Sequence, residues 1–181
     1  MKQEKYDEAL NRYIEAFITE PYNRFTTAGL VQWAEATKQT LAHPNVEIPF
    51  ELEFDDKGDA KLTDTDPVVI VYAAMRSTWH KEKFRQFFPK EAIYRHTLAE
   101  EAAALRSVIA SATARSSAKT DPANPSVLRL KKLDDEGLLE AYILLARADD
   151  GISQDHPSYL RANRDRLRRY MTDYVAKGDG N

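Results

Sequence analysis

The side chains in this sequence that could carry chemistry are few, and the histidines come first. His96 and Glu100 are four positions apart, which would place them one turn apart on the same face of a helix. His80 could approach them if the two helices concerned pack antiparallel. Two imidazoles with a carboxylate can hold a metal ion, and a His–Glu pair can move a proton. One candidate function is therefore a small hydrolase-like or metal-dependent enzyme with His96 and Glu100 as its catalytic pair.

A structural interpretation of the same pair competes with the catalytic one. In a helix predicted from Glu91 to about Arg115, His96 and Glu100 lie off the apolar stripe. This position favours an exposed ion pair worth roughly a few tenths of a kcal/mol. The sequence has no HExxH motif, no GxSxG motif, no glycine-rich phosphate loop and no cysteine. We therefore expect no bound metal ion and no organic cofactor.

Arginine is concentrated in the last predicted helix. Arg161, Arg164 and Arg168 share one side of it, away from its apolar residues. Guanidinium groups bind carboxylates and phosphates through paired hydrogen bonds, so this stripe predicts a docking surface for an acidic protein. The alternative is a solvated face whose charges pair with acidic residues of the same fold. The chain has 26 Lys and Arg against 29 Asp and Glu, and its formal charge of -3 disfavours nucleic acid as the partner.

A second candidate binding group combines a large aromatic residue with cations. Arg76, Trp79 and His80 lie close together in sequence, and such mixtures are frequent in protein interfaces. Trp79 also continues the apolar face of its predicted helix, which favours a place in the core.

The elements that must position these residues are mostly helices, because apolar residues recur every three or four positions. The first helix runs from Tyr6 and ends before Pro21. The second starts at Thr26 or Thr27, whose hydroxyl would cap it, and ends before Pro44.

The central part of the chain predicts two different elements. Alternating apolar residues predict one small β-hairpin at about residues 46–63, with an acidic turn at its tip. Asp66 and Pro67 then form a typical helix start, as N-cap and first helical residue. The apolar run Val68–Tyr72 also fits a strand, because short β-branched runs are ambiguous.

The C-terminal part predicts further helices around a loop. After the helix from Glu91, residues 116–126 contain three Ser and two Pro and predict a flexible loop. A helix from Leu138 follows and should end at Gly151, and the last one opens at His156.

Two stretches resemble a known repeat. The residues that carry the first match are Tyr6, Asp7, Glu8, Ala9, Leu10, Tyr13, Ala16, Glu20 and Pro21. They resemble the second helix of a tetratricopeptide repeat, with an aromatic residue, small alanines and a closing proline. Residues 138–174 are similar to a degenerate hairpin of such repeats. This resemblance implies a non-catalytic protein-binding scaffold whose ligand lies against concave helix faces.

Length and composition set the overall expectation. The chain has 181 residues, of which 43% are hydrophobic and 30% charged, as in globular proteins. We expect one mainly α domain spanning residues 1–181, an antiparallel array of about six helices with the hairpin at its edge. Its longest apolar run, Val68–Met75, is far shorter than the roughly 20 residues that cross a bilayer. The sequence predicts a cytoplasmic protein-interaction or scaffold module, or a periplasmic one if a leader has been removed.

Overall fold

The computed structural model describes residues 2–48, 51–62, 65–117 and 124–178, and most of these residues are helical. The mainly α class is therefore confirmed. The chain divides into two compact units, of which unit 1 comprises Met1–Asn45 and His156–Asn181, and unit 2 comprises Val46–Asp155. The expectation of one domain spanning residues 1–181 stays a prediction.

Unit 1 is built on a pair of packed helices, α1 (Lys2–Thr19) and α2 (Arg24–Thr37). Their facing sides supply buried apolar residues at helical spacing, which are Ile14, Phe17, Ile18, Leu30, Trp33 and Ala34. The indole N–H of Trp33 donates to the carbonyl of Tyr6 at 2.9 Å. A Cβ atom at Gly29 would lie 2.6 Å from the ring of Tyr13, so only glycine permits this close approach.

The start of α2 differs from the prediction. Asn23 is the N-cap, and its side chain accepts a hydrogen bond from the backbone N–H of Phe25. The hydroxyl of Thr26 instead donates to the carbonyls of Glu20 and Asn23. The helix ends at Lys38, whose φ of 58° is left-handed.

The third helix of unit 1, α9 (His156–Tyr170), begins where the sequence predicted and continues into the π-helical segment π3 (Met171–Val175). His156 lies in the interior, 2.9 Å from the carbonyl oxygen of Ile18 on α1. Asn163 interrupts α9 with non-helical angles. Leu167 and Tyr170 after this kink are fully buried, so the second half of α9 packs into unit 1.

Unit 2 begins its helical part with α3 (Pro67–Thr78), and the predicted cap is confirmed: the Asp66 carboxylate accepts from the backbone N–H of Val68 at 2.7 Å. The strand alternative for Val68–Tyr72 is wrong. A π-helical segment, π1 (Trp79–Lys83), joins α3 to α4 (Phe84–Phe87). Trp79 and Phe84 are five residues apart and both are buried.

The helix α5 (Leu98–Ser117) packs against α3 and starts later than predicted. The hydroxyl of Thr97 accepts from the backbone N–H of Glu100 at 3.1 Å, as an N-cap does. Residues 91–97 are therefore not helical. The prediction that His96 shares a helix face with Glu100 is wrong.

The rest of unit 2 is a set of short helical segments, which are α6 (Pro125–Asp135), α7 (Leu139–Tyr142), π2 (Ile143–Arg147) and α8 (Asp150–Ser153). The sequence analysis missed α6, which Asn124 caps. Gly151 lies inside α8 and does not end a helix. The most deeply buried side chains here are leucine and isoleucine, at positions Leu130, Leu133, Leu138, Leu139, Ile143 and Leu144.

The predicted β-hairpin is not formed by the described residues 46–48 and 51–62. They contain one isolated antiparallel bridge, between Phe54 and Ala60. The Asp55 side chain accepts from two backbone N–H groups of the turn, those of Lys57 and Asp59. The Phe54 ring stacks on the imidazole of His80 with 4.5 Å between centroids, so side-chain packing also holds this segment.

Two further expectations concern the loop and membranes. Of the predicted loop at 116–126, residues 118–123 lie outside the described part of the chain, and residues 124–126 form the cap and first turn of α6. No helix within the described ranges combines the length and apolar character needed to cross a membrane.

Candidate functional site

The arginine side of α9 faces α1 within unit 1. The Nη1 atom of Arg164 donates to Glu15 Oε2 at 2.8 Å, and the Nε atom of Arg168 donates to Glu15 Oε1 at 2.5 Å. One carboxylate therefore orients two guanidinium groups. The two arginine side chains remain 43% and 44% exposed, so this arrangement stays open to solvent. We call Arg161, Arg164 and Arg168 the arginine face.

The other charges of α9 leave this side basic. The helix contains five arginines and one acidic residue, Asp165. Asp165 accepts from Arg168 at 2.7 Å, and its side chain is almost fully exposed. Arg161 donates to the hydroxyl of Ser158 at 3.2 Å. The arginine face thus has three guanidinium groups against the two carboxylates of Glu15 and Asp165.

The charge of Glu15 is stabilised by this arrangement. The hydrogen bond from Arg168 lowers the pKa of Glu15, while partial burial opposes the shift and the hydrogen bond from Arg164 adds to it. The carboxylate is ionised at neutral pH and holds both guanidinium groups through charge-assisted hydrogen bonds.

The second predicted binding group does not form a surface. Arg76 and Trp79 are 3% exposed, and only His80 is partly accessible. Trp79 continues the buried face of its helix, as the core interpretation predicted. Arg76 is drawn inside because the Glu100 carboxylate accepts from its Nε atom at 2.7 Å. The prediction that these residues form an exposed docking group is therefore corrected.

Arg76 belongs to a buried charge cluster in unit 2. Its members are Tyr72, Arg76, Tyr94, His96, Glu100, Glu101, Arg147 and Asp149. The hydroxyl of Tyr72 donates to Glu101 Oε2 at 2.5 Å and accepts from Arg76 Nη1 at 2.9 Å. The hydroxyl of Tyr94 donates to Glu100 Oε1 at 2.7 Å. The two neighbouring glutamates, both 0% exposed, are the acidic centres of the cluster.

Arg147 and His96 approach Glu101 from other elements. The Nε atom of Arg147 lies 3.2 Å from Glu101 Oε1, and its Nη1 atom donates to the carbonyl of Ile48. His96 Nε2 is 3.2 Å from Glu101 Oε2, within ion-pair distance but off the hydrogen-bond axis. His96 Nδ1 lies 2.7 Å from Asp149 Oδ2. His96 and Glu100 thus have different partners and do not form the predicted exposed pair.

Burial and charge oppose each other at the acidic centre. Burial by itself raises the pKa of Glu101, but the close contact with His96 and the charge of Arg147 outweigh it, so the pKa is lowered. Burial is also the main cause that raises the pKa values of Tyr72 and Tyr94, and the nearby glutamates add to it. Both tyrosines therefore keep their protons and act as donors.

The catalytic candidates His80 and Glu100 lie against side chains of unit 2. His80 packs between the rings of Phe54 and Tyr94. Glu100 Oε1 accepts from Arg76 and Tyr94, whereas Glu100 Oε2 is buried and has no hydrogen-bond partner within the described residues. Within the part of the chain that the structure describes, no group of three or more His, Asp or Glu side chains could hold a metal ion.

A groove of about 450 Å³ lies between α1 and α2 in unit 1. Tyr6, Leu10 and Trp33 supply its aromatic and aliphatic wall, and Asp7 and Gln39 supply polar groups. Three of the residues that line the groove belong to the stretch that resembles a tetratricopeptide repeat, namely Tyr6, Asp7 and Leu10.

The sequence analysis missed three central residues of these two regions. Glu15, Glu101 and Arg147 were not singled out because no short spacing connects Glu15 with Arg168, 153 positions away, or Glu101 with Arg147, 46 positions away. One local signal was available. Thr97 and Glu100 have the spacing of a capping box, which would have placed the start of α5 after His96.

Comparison with known proteins gives no relative for this chain. No family model matches it, and neither a curated protein nor a solved structure is similar to it.

Proposed function

We propose that the chain is a non-catalytic protein-interaction or scaffold module of helical-repeat type, and that its arginine face docks an acidic surface of another protein. The observation that carries the proposal is the single Glu15 carboxylate that orients Arg164 and Arg168 while both stay accessible. The repeat resemblance at residues 6–21 lies on the same helix as Glu15.

The charge distribution supports an acidic partner. The whole chain has a formal charge of -3, yet α9 contains five arginines and one aspartate. A locally basic helix on an acidic chain attracts anionic surfaces without binding polyanions in general. Each guanidinium carries five N–H donors, and Arg164 directs only Nη1 to its described partners, Glu15 and Thr19. Further donors therefore remain for carboxylates of a partner.

The buried charge cluster fits this function as a structural element. Its carboxylates lie among arginines and tyrosine hydroxyls of the same unit, and His96 has a carboxylate near each ring nitrogen. The enzyme alternative that uses His80, His96 and Glu100 stays a prediction, without an observation that favours it over the interaction module.

Charge reversal tests the proposal. In the variant Arg161→Glu, Arg164→Glu and Arg168→Glu, we expect the loss of an acidic protein partner that wild type retains on a column in source-cell extract. Thermal unfolding should shift by a few degrees at most, because these contacts are exposed.

A matched control separates the arginine face from net charge. The variant Arg12→Glu, Arg24→Glu and Arg85→Glu changes the charge equally at other exposed arginines, and we expect it to retain the partner. Retention by the first variant would refute the proposal. So would capture of nucleic acid with a steep dependence on salt, because the ligand would then be a phosphate backbone.

A further inference from the structure

His96 connects two parts of unit 2. It lies in the segment before α5 and is 7% exposed, and Asp149 stands at the N-cap of α8. Asp149 Oδ1 accepts from the backbone N–H groups of Gly151 and Ile152, while its Oδ2 faces His96 Nδ1 at 2.7 Å. One carboxylate therefore caps a helix and contacts the imidazole at the same time.

The backbones of these two parts also lie against each other. A Cβ atom at Gly151 would be 2.5 Å from the carbonyl oxygen of His96, so glycine is required for this approach. Arg95 Nη1 donates to the carbonyl of Gly151 at 2.8 Å, and Arg95 Nη2 donates to Asp155 at 2.7 Å. Among the residues that make these contacts, histidine is the type whose charge ordinarily changes near neutral pH.

The positions of the two carboxylates favour the protonated imidazole. A neutral imidazole has one N–H group and one lone pair, whereas the imidazolium has two N–H groups. His96 has Asp149 near Nδ1 and Glu101 near Nε2. In the neutral form, either a lone pair on Nδ1 would face Asp149, or the proton would sit on Nδ1 and the attraction between a cationic ring and Glu101 would be lost. The cation is therefore the form that this geometry stabilises.

The other charged groups near His96 lie around Glu101. Arg76 on α3 lies 3.5 Å and Arg147 on π2 lies 3.2 Å from this carboxylate, and the Tyr72 hydroxyl on α3 also donates to it. Burial and the charge of Arg76 lower the pKa of His96, but its contacts with Asp149 and Glu101 prevail and the pKa is raised.

We propose that His96 is a proton-dependent clamp that holds the N-terminus of α8 against the segment leading into α5. While the imidazole is protonated, the clamp is closed. When the imidazole loses its proton, the contact with Asp149 weakens and α8 opens more often.

The direction of the pH dependence follows from linkage. A histidine whose pKa is higher in the folded than in the open state stabilises the closed state fully below its open-state pKa, roughly 6.5. This stabilisation is lost as pH rises through the folded-state pKa. Between the two pKa values, opening increases by up to about tenfold per pH unit.

Hydrogen exchange of the whole chain tests the clamp. We expect the protection factors of the Gly151 and Ile152 amides, corrected for intrinsic exchange, to fall between pH 6 and pH 9. In Asp149→Asn, asparagine still caps the helix but carries no charge, so protection should depend little on pH. An equal pH dependence in this variant, or constant protection in wild type, would overturn the proposal.

NMR titration of the unaltered protein provides a second measurement that needs no variant. The ring nitrogens of His96 should show an imidazolium at pH 6.5 and titrate above that pH. Burial lowers the pKa values of His43, His80 and His156, so these histidines should titrate below it and serve as internal references. A neutral His96 at pH 6 would refute the clamp.

Discussion

The arginine face of unit 1 and the buried charge cluster of unit 2 both contain Arg–Glu ion pairs, but the first pairs are partly exposed and the second are buried. Arg168 and Glu15 are 44% and 36% exposed, whereas Arg76 and Glu100 are 4% and 0% exposed. The hydrogen-bond lengths are similar, at 2.5 Å and 2.7 Å. Contact distance alone therefore does not distinguish the two regions.

What separates the two regions is the cost of losing a partner. At the surface, water and salt screen a charge, so an ion pair contributes roughly 0 to 1 kcal/mol and either member can exchange its partner. In the interior, a charge without a partner costs several kcal/mol. The buried cluster therefore favours one arrangement of unit 2, whereas the guanidinium groups of the arginine face can exchange partners, as the proposed docking requires.

The largest expected effect is at Glu101. Glu101→Gln removes the carboxylate charge beside His96 and Arg147 and keeps the side-chain shape. We expect the free energy of unfolding to fall by about 3–5 kcal/mol, because buried cations lose their counter-charge. Urea denaturation measures this change. A loss below about 1 kcal/mol would place the cluster in the same class as the surface pairs.

An intermediate effect is expected at Tyr72. Tyr72→Phe removes the hydroxyl that donates to Glu101 and accepts from Arg76. Hydrogen bonds to charged groups contribute about 1.5–3 kcal/mol, and we expect a loss in this range by urea denaturation. A loss below about 0.5 kcal/mol, as for a surface substitution, would remove the distinction between interior and surface.

The smallest effect concerns Glu15 and Arg168. A double-mutant cycle with Glu15→Gln and Arg168→Gln should give a coupling below about 1 kcal/mol that decreases in 1 M salt. Because the pKa of Glu15 is lowered, the coupling should be complete above its unfolded pKa, roughly 4.3, and disappear as pH falls through the folded value. A coupling energy that stays unchanged in 1 M salt and at low pH would show that Arg168 does not exchange Glu15 for another partner.

Local signals in the sequence predicted the elements that local interactions determine. The helix starts at Asp66 and His156 were correct, because a capping side chain or a proline acts within a few residues. The helix α6 has the same Asn-Pro signal at Asn124 and was missed inside a segment assigned to a loop. The alternation at residues 46–54 predicted a hairpin, whereas the described residues there form the single bridge between Phe54 and Ala60, and Phe54 stacks on His80 of π1.

The two charged regions required information that no local pattern contains. The sequence showed that Arg164 and Arg168 share a side of α9, but their partner Glu15 is about 150 positions away. The burial of Glu100 and Glu101 depends on Arg76 and Arg147 arriving from other helices. Glutamates are almost never fully buried unless they are paired, and Glu100 lies off the apolar stripe of its predicted helix, so the sequence favoured an exposed position.

The π-helical segment π1 gives unit 2 one place where a residue can be removed without changing which way the following side chains point. In a regular α-helix, residues five apart point about 140° from each other, yet Trp79 and Phe84 both reach the interior. The wider turn contains one extra residue, and this residue accounts for their common direction. Deleting one residue between them, such as exposed Glu82, would convert the turn to regular α-helix and leave Trp79 and Phe84 four positions, or about 40°, apart. Both side chains would still face the core, whereas a deletion in the regular part of α3 or α5 would rotate the residues after it by about 100°.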